Sequence, residues 1–172
     1  MSETHAFRSV MVTGHRPHLM NPVQASWAES ELQRLAVKLR DEHGCTEAIS
    51  GMALGADTWW AKAALGAGLR LAAYIPCESQ PSRWSAADRR TWEQLRVEAT
   101  REVVVGTVPN ARTFHARNDA MLQDADLVVA VWDPTVTTGG TAATVAKARR
   151  RGMDIIIVDL AEARTRIERG RR

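Results

Sequence analysis

The sequence has few cysteines, and none of them lies in a metal-binding pattern. Cys45 and Cys77 are the two cysteines among 172 residues, and they are too far apart to form a Cys-x-x-Cys pair. This spacing argues against a zinc site and against a disulfide framework. We therefore expect reduced thiols and no metal site.

Long apolar runs and a secretory leader pattern are also lacking. No hydrophobic stretch approaches the roughly 20 residues of a membrane-spanning helix, and the N-terminus lacks the pattern of a signal peptide. With 45% hydrophobic and 25% charged residues, the composition is that of an ordinary globular domain. We therefore expect a cytoplasmic protein with no membrane partner.

Familiar catalytic signatures are missing as well. The sequence contains no His-Glu-x-x-His motif, no Walker lysine, no Ser-His-Asp signature and no carboxylate pair with convincing spacing for hydrolysis. Aromatic residues are few and skewed, with six tryptophans against one tyrosine and two phenylalanines. Trp84 is a candidate to stack on a ligand base, although most tryptophans simply pack in the core. The chemistry therefore has to be sought in the loops.

Short β-branched runs alternate along the chain with longer helical runs. This order predicts an α/β fold, a single Rossmann-like domain with a mostly parallel sheet and helices on both faces. Strands are predicted at residues 9–13, 48–50, 69–75, 102–105, 127–132 and 154–158, and helices at 25–43, 56–67, 86–101, 112–124 and 142–151. Gly44, Gly68 and Gly152 follow three of these helices, where glycine is typical of a helix end.

The positive charge is concentrated towards the end of the chain. The net charge is +3, and arginines at 149–151 close the last predicted helix, where they complement its dipole. We divide the chain into a ligand-binding domain at residues 1–160 and a basic C-terminal tail at 161–172, which we expect to be solvated. Glu162 and Glu168 interrupt the arginines of the tail. A nucleic-acid partner is therefore not expected.

Three glycine-bearing loops follow predicted strands. They are Gly14-His15-Arg16-Pro17, the loop at residues 50–57, and Thr138-Gly139-Gly140-Thr141. The carboxyl ends of parallel strands line the usual ligand crevice of an open α/β sheet. A glycine turn before a helix also exposes N–H groups that can hold phosphate. The alternative is an ordinary turn that uses glycine only for its backbone freedom.

Arg117 is the most informative charged residue. In a predicted helix it shares a face approximately with Phe114 and Met121. Burying a guanidinium there is costly unless an anion in a cleft accepts its hydrogen bonds. The alternatives are a pair with a carboxylate such as Asp126, or extension into solvent. Arg117 is therefore a candidate to neutralise a ligand anion.

Three further charged or titratable residues lie in the glycine loops. His15 follows Gly14 and could meet phosphate or a ribose hydroxyl, transfer a proton, or be satisfied by local backbone. Arg16, beside it, could likewise meet phosphate. Asp57 falls in the first turn of a predicted helix, where it could bind a ribose hydroxyl or simply stabilise the helix dipole.

These stretches together resemble the SMF/DprA–LOG (SLOG) superfamily, most closely its YpsA/YspA-like branch. The resemblance is carried by residues 12–17, 50–59, 75–76 with Gln80 and Trp84, Arg117-Asn118 with Met121, 125–133 and 139–141. These segments occur in the expected order across most of the chain. The resemblance implies a Rossmann-like fold that binds nucleotides or nucleotide-derived molecules at the edge already identified.

Some relatives in this superfamily, the LOG phosphoribohydrolases, are enzymes in which an arginine and a glutamate carry N-glycosidic cleavage. Arg117 matches that arginine, whereas the glutamate position falls on residues 142–144, which are Ala-Ala-Thr. The missing carboxylate argues against LOG-type hydrolysis unless Asp57 or Asp133 substitutes for it. If the protein is an enzyme, its catalytic candidates are Arg117, Asp57 and His15.

We favour a binding protein that senses or sequesters a nucleotide-derived ligand of the NAD or ADP-ribose type. The alternatives are a phosphoribohydrolase-like enzyme acting on a nucleotide N-glycosidic bond, and a single-stranded DNA-binding protein as in DprA relatives. The candidate ligand-binding residues are Gly14, His15, Arg16, Ser50, Gly51, Met52, Ala53, Leu54, Gly55, Asp57, Trp84, Arg117, Asn118, Trp132, Gly139, Gly140 and Thr141. No cofactor is expected, and spare apolar residues on the predicted helices predict a homo-oligomer.

Overall fold

The computed structural model, which describes residues 6–171, contains seven β-strands. They are β1 (Ser9–Gly14), β2 (Glu47–Ser50), β3 (Arg70–Ile75), β4 (Arg101–Val104), β5 (Leu127–Trp132), β6 (Asp154–Asp159) and β7 (Arg164–Glu168). They form a sheet in the order β4-β3-β2-β1-β5-β6-β7. Strands β1 to β6 are parallel, and β7 is antiparallel to β6. The predicted fold class is confirmed.

Helices cover both faces of the sheet. They are α1 (Pro22–His43), α2 (Ala56–Gly66), α3 (Ala86–Glu98), α4 (Ala111–Asp124) and α5 (Gly140–Arg150), with a short 3₁₀ helix at Pro17–Leu19. Val10 and Val12 of β1 pack with α1 and α2, whereas Met11 packs with α4 and α5. This alternation is expected for a strand buried on both faces. Among residues 6–171, no helix has the length and hydrophobicity to span a membrane.

The first six strands agree with the sequence prediction to within one residue at each end. Helix α1 begins three residues earlier than predicted, at Pro22, because Asn21 and Gln24 form a capping box ahead of it. Helix α3 ends at Glu98 rather than at residue 101, because Ala99 adopts an extended conformation and β4 then begins. The helix boundaries were therefore less predictable than the strands.

Strand β7 was not predicted, and it lies in the stretch that we had assigned to a solvated basic tail. Its residues pair with β6 from Ile155 to Asp159. Ion pairs hold its charged side chains: Arg166 lies 2.6 Å from Asp159, and Glu168 lies 2.7 Å from Arg149. Residues 164–168 therefore form an edge strand of the sheet rather than a free segment.

The sheet reverses its direction of growth between β1 and β5. From β1 the chain adds β2, β3 and β4 on one side, and α4 then returns it to β5 on the other side. At such a point the loops that leave the two neighbouring strands diverge to opposite faces and open a crevice at the strands' carboxyl ends. The loops after β1 and β5 therefore meet at a common hollow.

Candidate functional site

A pocket of about 290 Å³ opens at the carboxyl ends of β1 and β5. Its walls come from the end of β1 and the following loop, the start of α2, the first half of α4, and the turn into α5. The lining residues are Val12, Thr13, Gly14, His15, Arg16, Leu19, Ala53, Asp57, Ala111, Phe114, His115, Arg117, Asn118, Thr138, Gly139, Gly140 and Thr141. All three glycine-bearing loops thus contribute to it, the second through Ala53 and Asp57.

One end of the pocket is the N-terminus of α5. Gly139 is the residue before the helix, with φ of 92°, and no side chain among residues 6–171 caps it. A Cβ added to Gly139 or Gly140 would meet no atom within 4 Å, so the backbone here is open to the pocket. The first N–H groups of a helix have no intrahelical partner and carry partial positive charge. This end of the pocket suits an anion.

Arg117 projects from α4 into the same pocket and is only 4% exposed. Its Nε donates to Asn118 Oδ1 at 2.8 Å, and its Nη1 donates to the carbonyl oxygen of Gly51. Nη2 donates to no group within residues 6–171. Because no fully buried polar side-chain atom in that range lacks a partner, Nη2 must be accessible from the pocket. One arm of a charged, buried guanidinium is therefore free to bind a ligand.

Asp57 lies beside this arginine in the first turn of α2. Its Oδ2 is 3.8 Å from Arg117 Nη1 and accepts from the N–H of Ala53 at 3.2 Å. Burial raises the pKa of Asp57, while the charges of Arg117 and Arg16 and the Ala53 hydrogen bond act in the opposite direction. Burial likewise lowers the pKa of Arg117. The two groups form a buried pair that leaves Asp57 Oδ1 without a protein donor in the described chain.

His15 lies at the end of β1 and is 4% exposed. Its Nε2 accepts from the backbone N–H of Asp133 at 3.3 Å, so the ring proton of the neutral form lies on Nδ1. Burial lowers the pKa of His15, and the Asp133 carboxylate only partly offsets this. The imidazole is therefore a neutral group whose Nδ1–H can donate to a ligand.

Arg117 does pair with a carboxylate, as one alternative expected, but the partner is Asp57 rather than Asp126. Asp126 instead accepts from the backbone N–H groups of Arg8 and Ser9, at 2.8 and 3.0 Å. It therefore lies at the amino end of β1, away from the pocket. Arg117 pairs with Asp57 and does not extend into solvent.

The structure divides the predicted ligand-binding residues into two groups. Those that line the pocket are Gly14, His15, Arg16, Ala53, Asp57, Arg117, Asn118, Gly139, Gly140 and Thr141. Those that do not are Ser50, Gly51, Met52, Leu54, Gly55, Trp84 and Trp132. The second group lies outside the lining of this pocket, and ligand contact by these residues stays a prediction.

Several residues of the loop after β2 shape its turn from within. The Ser50 hydroxyl donates to the Asp57 carbonyl at 2.7 Å and accepts from the Met52 N–H at 3.1 Å. The Met52 side chain is fully buried against α2 and α3. Gly55 has φ of 89° before α2, a conformation that favours glycine, and Leu54 lies half-buried beside it. These residues fix the loop, and its residues that line the pocket are Ala53 and Asp57.

Gly51 lies directly beneath Arg117. A Cβ at this position would be 2.2 Å from Arg117 Nη1 and 2.8 Å from Asp57 Oδ2. Its carbonyl oxygen also accepts from Gln80 Nε2 at 3.0 Å. The close approach of the buried pair is therefore sufficient to require glycine here.

Neither candidate tryptophan reaches the pocket. Trp84 packs half-buried against the apolar cluster between β3 and α3. The Trp132 indole donates to the Val136 carbonyl at 2.9 Å, and the Arg149 guanidinium lies 5.7 Å from its ring centre. Both side chains are explained by packing, so the predicted stacking role for Trp84 is not supported by its position.

Sequence reasoning did not select several residues of the lining as ligand contacts, notably Leu19, Ala111, Phe114, His115 and Thr138. Phe114 shares a helical face with Arg117, which was a signal that both line one cleft, whereas Leu19 lies beside Met20 in a stretch with no pattern that indicated a pocket. The histidine and threonine are exposed positions next to motif residues. Their adjacency to the motifs was the one available signal.

Comparisons with solved structures find the same fold in other proteins. DprA from Streptococcus pneumoniae is 23% identical with a TM-score of 0.63, covering 88% of this chain and 50% of its own. DprA from Helicobacter pylori is 18% identical with a TM-score of 0.61, covering 87% and 64%. The molybdenum cofactor carrier protein from Chlamydomonas reinhardtii is 20% identical with a TM-score of 0.56, covering 87% and 75%. These likenesses show a shared fold.

The chain spans between half and two thirds of the length of the two DprA proteins. No curated protein matches it. The family model described as the YspA SLOG family matches residues 10–163, which include every strand from β1 to β6 except the first residue of β1. The chain therefore belongs to the YspA SLOG family.

Proposed function

We propose that this protein binds a phosphorylated, nucleotide-derived ligand of the ADP-ribose or NAD type in the pocket between β1 and β5. The observation that carries this proposal is the meeting of two anion-binding features in one hollow. One is the uncapped N-terminus of α5 at Gly139 and Gly140, and the other is the free Nη2 of buried Arg117. Charged hydrogen bonds in such a buried setting are stronger than those between neutral groups.

The neighbouring polar groups suit the hydroxyls of a ribose. His15 offers a neutral N–H donor, and Asp57 Oδ1 offers an acceptor. A hydroxyl group both donates and accepts, so one sugar can satisfy the two side chains together. This pairing supports a sugar next to the phosphate.

The size of the pocket supports a ligand unit of about one nucleotide. Its volume of about 290 Å³ lies just below the range of roughly 300–1,000 Å³ that is usual for ligand sites. The second half of a dinucleotide would therefore extend beyond the pocket mouth.

Binding accounts for the residues better than cleavage or DNA binding does. Within the described chain, Asp57 is the one carboxylate that lines the pocket, and it is engaged by Ala53 and Arg117.

Single-stranded DNA binding needs aromatic side chains exposed along a basic track. Every aromatic side chain within residues 6–171 is buried or half-buried.

The proposed phosphate site at the N-terminus of α5 can be tested with substitutions that leave the fold intact. Gly140 has open space around its Cβ position, so both Gly140→Asp and the matched Gly140→Asn should fold. An aspartate there stabilises the helix N-terminus but repels a bound phosphate. In calorimetric titrations with AMP, ADP-ribose and NAD, we expect binding to wild type, near-normal binding to Gly140→Asn, and at least a tenfold loss with Gly140→Asp. Absence of binding to wild type, or equal affinities in the two variants, overturns the proposal.

Self-association stays a prediction. Native mass spectrometry of the purified protein measures the oligomer size and any co-purified small molecule in the same spectrum. We expect a homo-oligomer that carries a phosphorylated ligand, and a bare monomer would contradict both expectations.

A further inference from the structure

The pocket lining combines deeply buried polar side chains with apolar side chains that stay accessible. Arg117 and His15 are each 4% exposed, whereas Leu19 is 55% exposed and Phe114 is half-buried. Water favours the opposite arrangement, with charged groups outside and apolar groups inside. A ligand that satisfies both sets has an anionic group for Arg117 and the N-terminus of α5, and an apolar surface for Leu19 and Phe114.

Core packing does not explain these two apolar side chains. Phe114 belongs to none of the three apolar clusters that fill the space between the sheet and the helices and does not pack against them, and Leu19 is too exposed to belong to a core cluster. Both line the pocket instead. Phe114 also has no aromatic neighbour within residues 6–171. Its ring is therefore not stacked on another aromatic side chain in the described chain.

The two residues are held in place by the elements that carry them. Phe114 lies in the first turn of α4, which Asn110 caps by accepting from the N–H of Thr113 at 2.9 Å. Leu19 ends the 3₁₀ helix, and its N–H donates to the Arg16 carbonyl at 2.9 Å. The apolar part of the lining is thus set before a ligand arrives.

We infer that Phe114 and Leu19 form the subsite for the planar base of a nucleotide, with the phosphate at the N-terminus of α5. This inference rests on the proposed function and adds the recognition of the ring. The apolar lining of Leu19, Ala111 and Phe114 is sufficient for one flat ring but not for an extended alkyl chain. Stacking on an aromatic face accepts any base, because every base has a π-face.

The test compares AMP with ribose 5-phosphate, which has the same phosphate and sugar but no base. Calorimetric titrations use wild type, Phe114→Ala, Phe114→Trp and the control Val97→Ala, whose side chain on α3 is 85% exposed and outside the pocket. We expect wild type and Val97→Ala to bind AMP at least about 10-fold more tightly than ribose 5-phosphate. Phe114→Ala should abolish this preference without changing ribose 5-phosphate affinity, and Phe114→Trp should keep it.

The outcomes separate the base subsite from the phosphate site. If wild type binds both compounds equally, or if Phe114→Ala weakens both by the same factor, the base subsite is refuted. In either case the phosphate site stands if Gly140→Asp still weakens ribose 5-phosphate. If wild type binds neither compound, the proposed function falls together with the subsite.

Discussion

Gln80 and Arg117 donate hydrogen bonds to the same acceptor, the carbonyl oxygen of Gly51. Gln80 is held in turn by the Trp92 indole N–H, which donates to its Oε1 at 2.9 Å. A chain of hydrogen bonds therefore runs from α3 to Arg117. The position of the arginine that lines the pocket therefore depends on side chains that do not line it.

Replacing Gln80 tests this support. The Gln80→Leu variant removes one donor from the Gly51 carbonyl and leaves the buried Trp92 N–H without an acceptor. We expect the free energy of unfolding to fall by about 1–3 kcal/mol, and the affinity for AMP to fall as Arg117 loses its fixed position. Urea denaturation and calorimetric titration measure the two effects.

The double variant Gln80→Leu/Trp92→Phe is the control for the unsatisfied N–H. Because it removes the Trp92 N–H donor together with its Gln80 acceptor, this variant should recover part of the stability that Gln80→Leu loses. It should not recover the affinity for AMP. An unchanged affinity in Gln80→Leu would show that Arg117 holds its position without the glutamine.

Gly51→Ala should disrupt the buried pair directly. The new methyl group would overlap Arg117 Nη1 and approach Asp57 Oδ2, as the 2.2 and 2.8 Å Cβ distances require. We expect a loss of about 1–3 kcal/mol in the free energy of unfolding, and loss of AMP binding. The matched control is Gly66→Ala at the end of α2, where nothing lies within 4 Å of the added Cβ. That variant should be as stable as wild type or slightly more stable, and equal behaviour of the two alanine variants would contradict the packing argument.

Arg117→Ala separates binding from folding when it is combined with a change at Asp57. Alone, it leaves the Asp57 carboxylate buried without its nearest countercharge, at a cost of about 3–5 kcal/mol in the free energy of unfolding. It also removes the free Nη2, which should weaken AMP binding by about 1.5–3 kcal/mol.

The double variant Arg117→Ala/Asp57→Asn removes the unpaired charge. Its stability to urea should recover in part, whereas AMP binding should stay weak. Recovery of the affinity together with the stability would assign Arg117 a structural role alone.

The sequence was sufficient for the fold because its signals are local. The apolar run at Leu127–Trp132 is buried at every position, and its strand was predicted at both ends. Strand β7 was missed because Arg164–Glu168 carries a charged residue at every second position, and such a density of charge is typical of a solvated segment. It joins the sheet through long-range pairing with β6 and through ion pairs, and neither is visible in a local pattern.

The candidate site was only partly predictable, because sequence patterns report local structure and not the direction of each side chain. Gly14, Arg117 and Gly139 could be chosen because the carboxyl edge of a parallel sheet gathers the loops that carry them. Gly51 belongs to the same motif, yet the turn directs it beneath Arg117. Phe114 reaches the pocket because of the orientation of α4, which residue spacing alone does not give. Loop membership is thus local information, whereas the direction of a side chain depends on tertiary packing.

The protonation of His15 should make stability depend on pH. Its Nε2 accepts from the Asp133 N–H only while the ring is neutral, and burial lowers the pKa of His15 below its ordinary value of 6.5. The unfolded chain therefore binds the proton more readily, so acid favours unfolding. The stabilising contribution is complete above about pH 6.5 and is lost as the pH falls through the lower pKa of the folded state.

His15→Gln is the matched comparison, because an amide oxygen can accept the same N–H but does not titrate. Urea denaturation from about pH 8 down to about pH 5 gives the free energy of unfolding of both proteins. Carboxylates such as Asp57 titrate in both and largely cancel in the difference. We expect wild type to lose stability relative to His15→Gln only below about pH 6.5. Parallel curves would mean that His15 has the same pKa in the folded and unfolded states, and that its hydrogen bond from Asp133 does not hold the ring neutral.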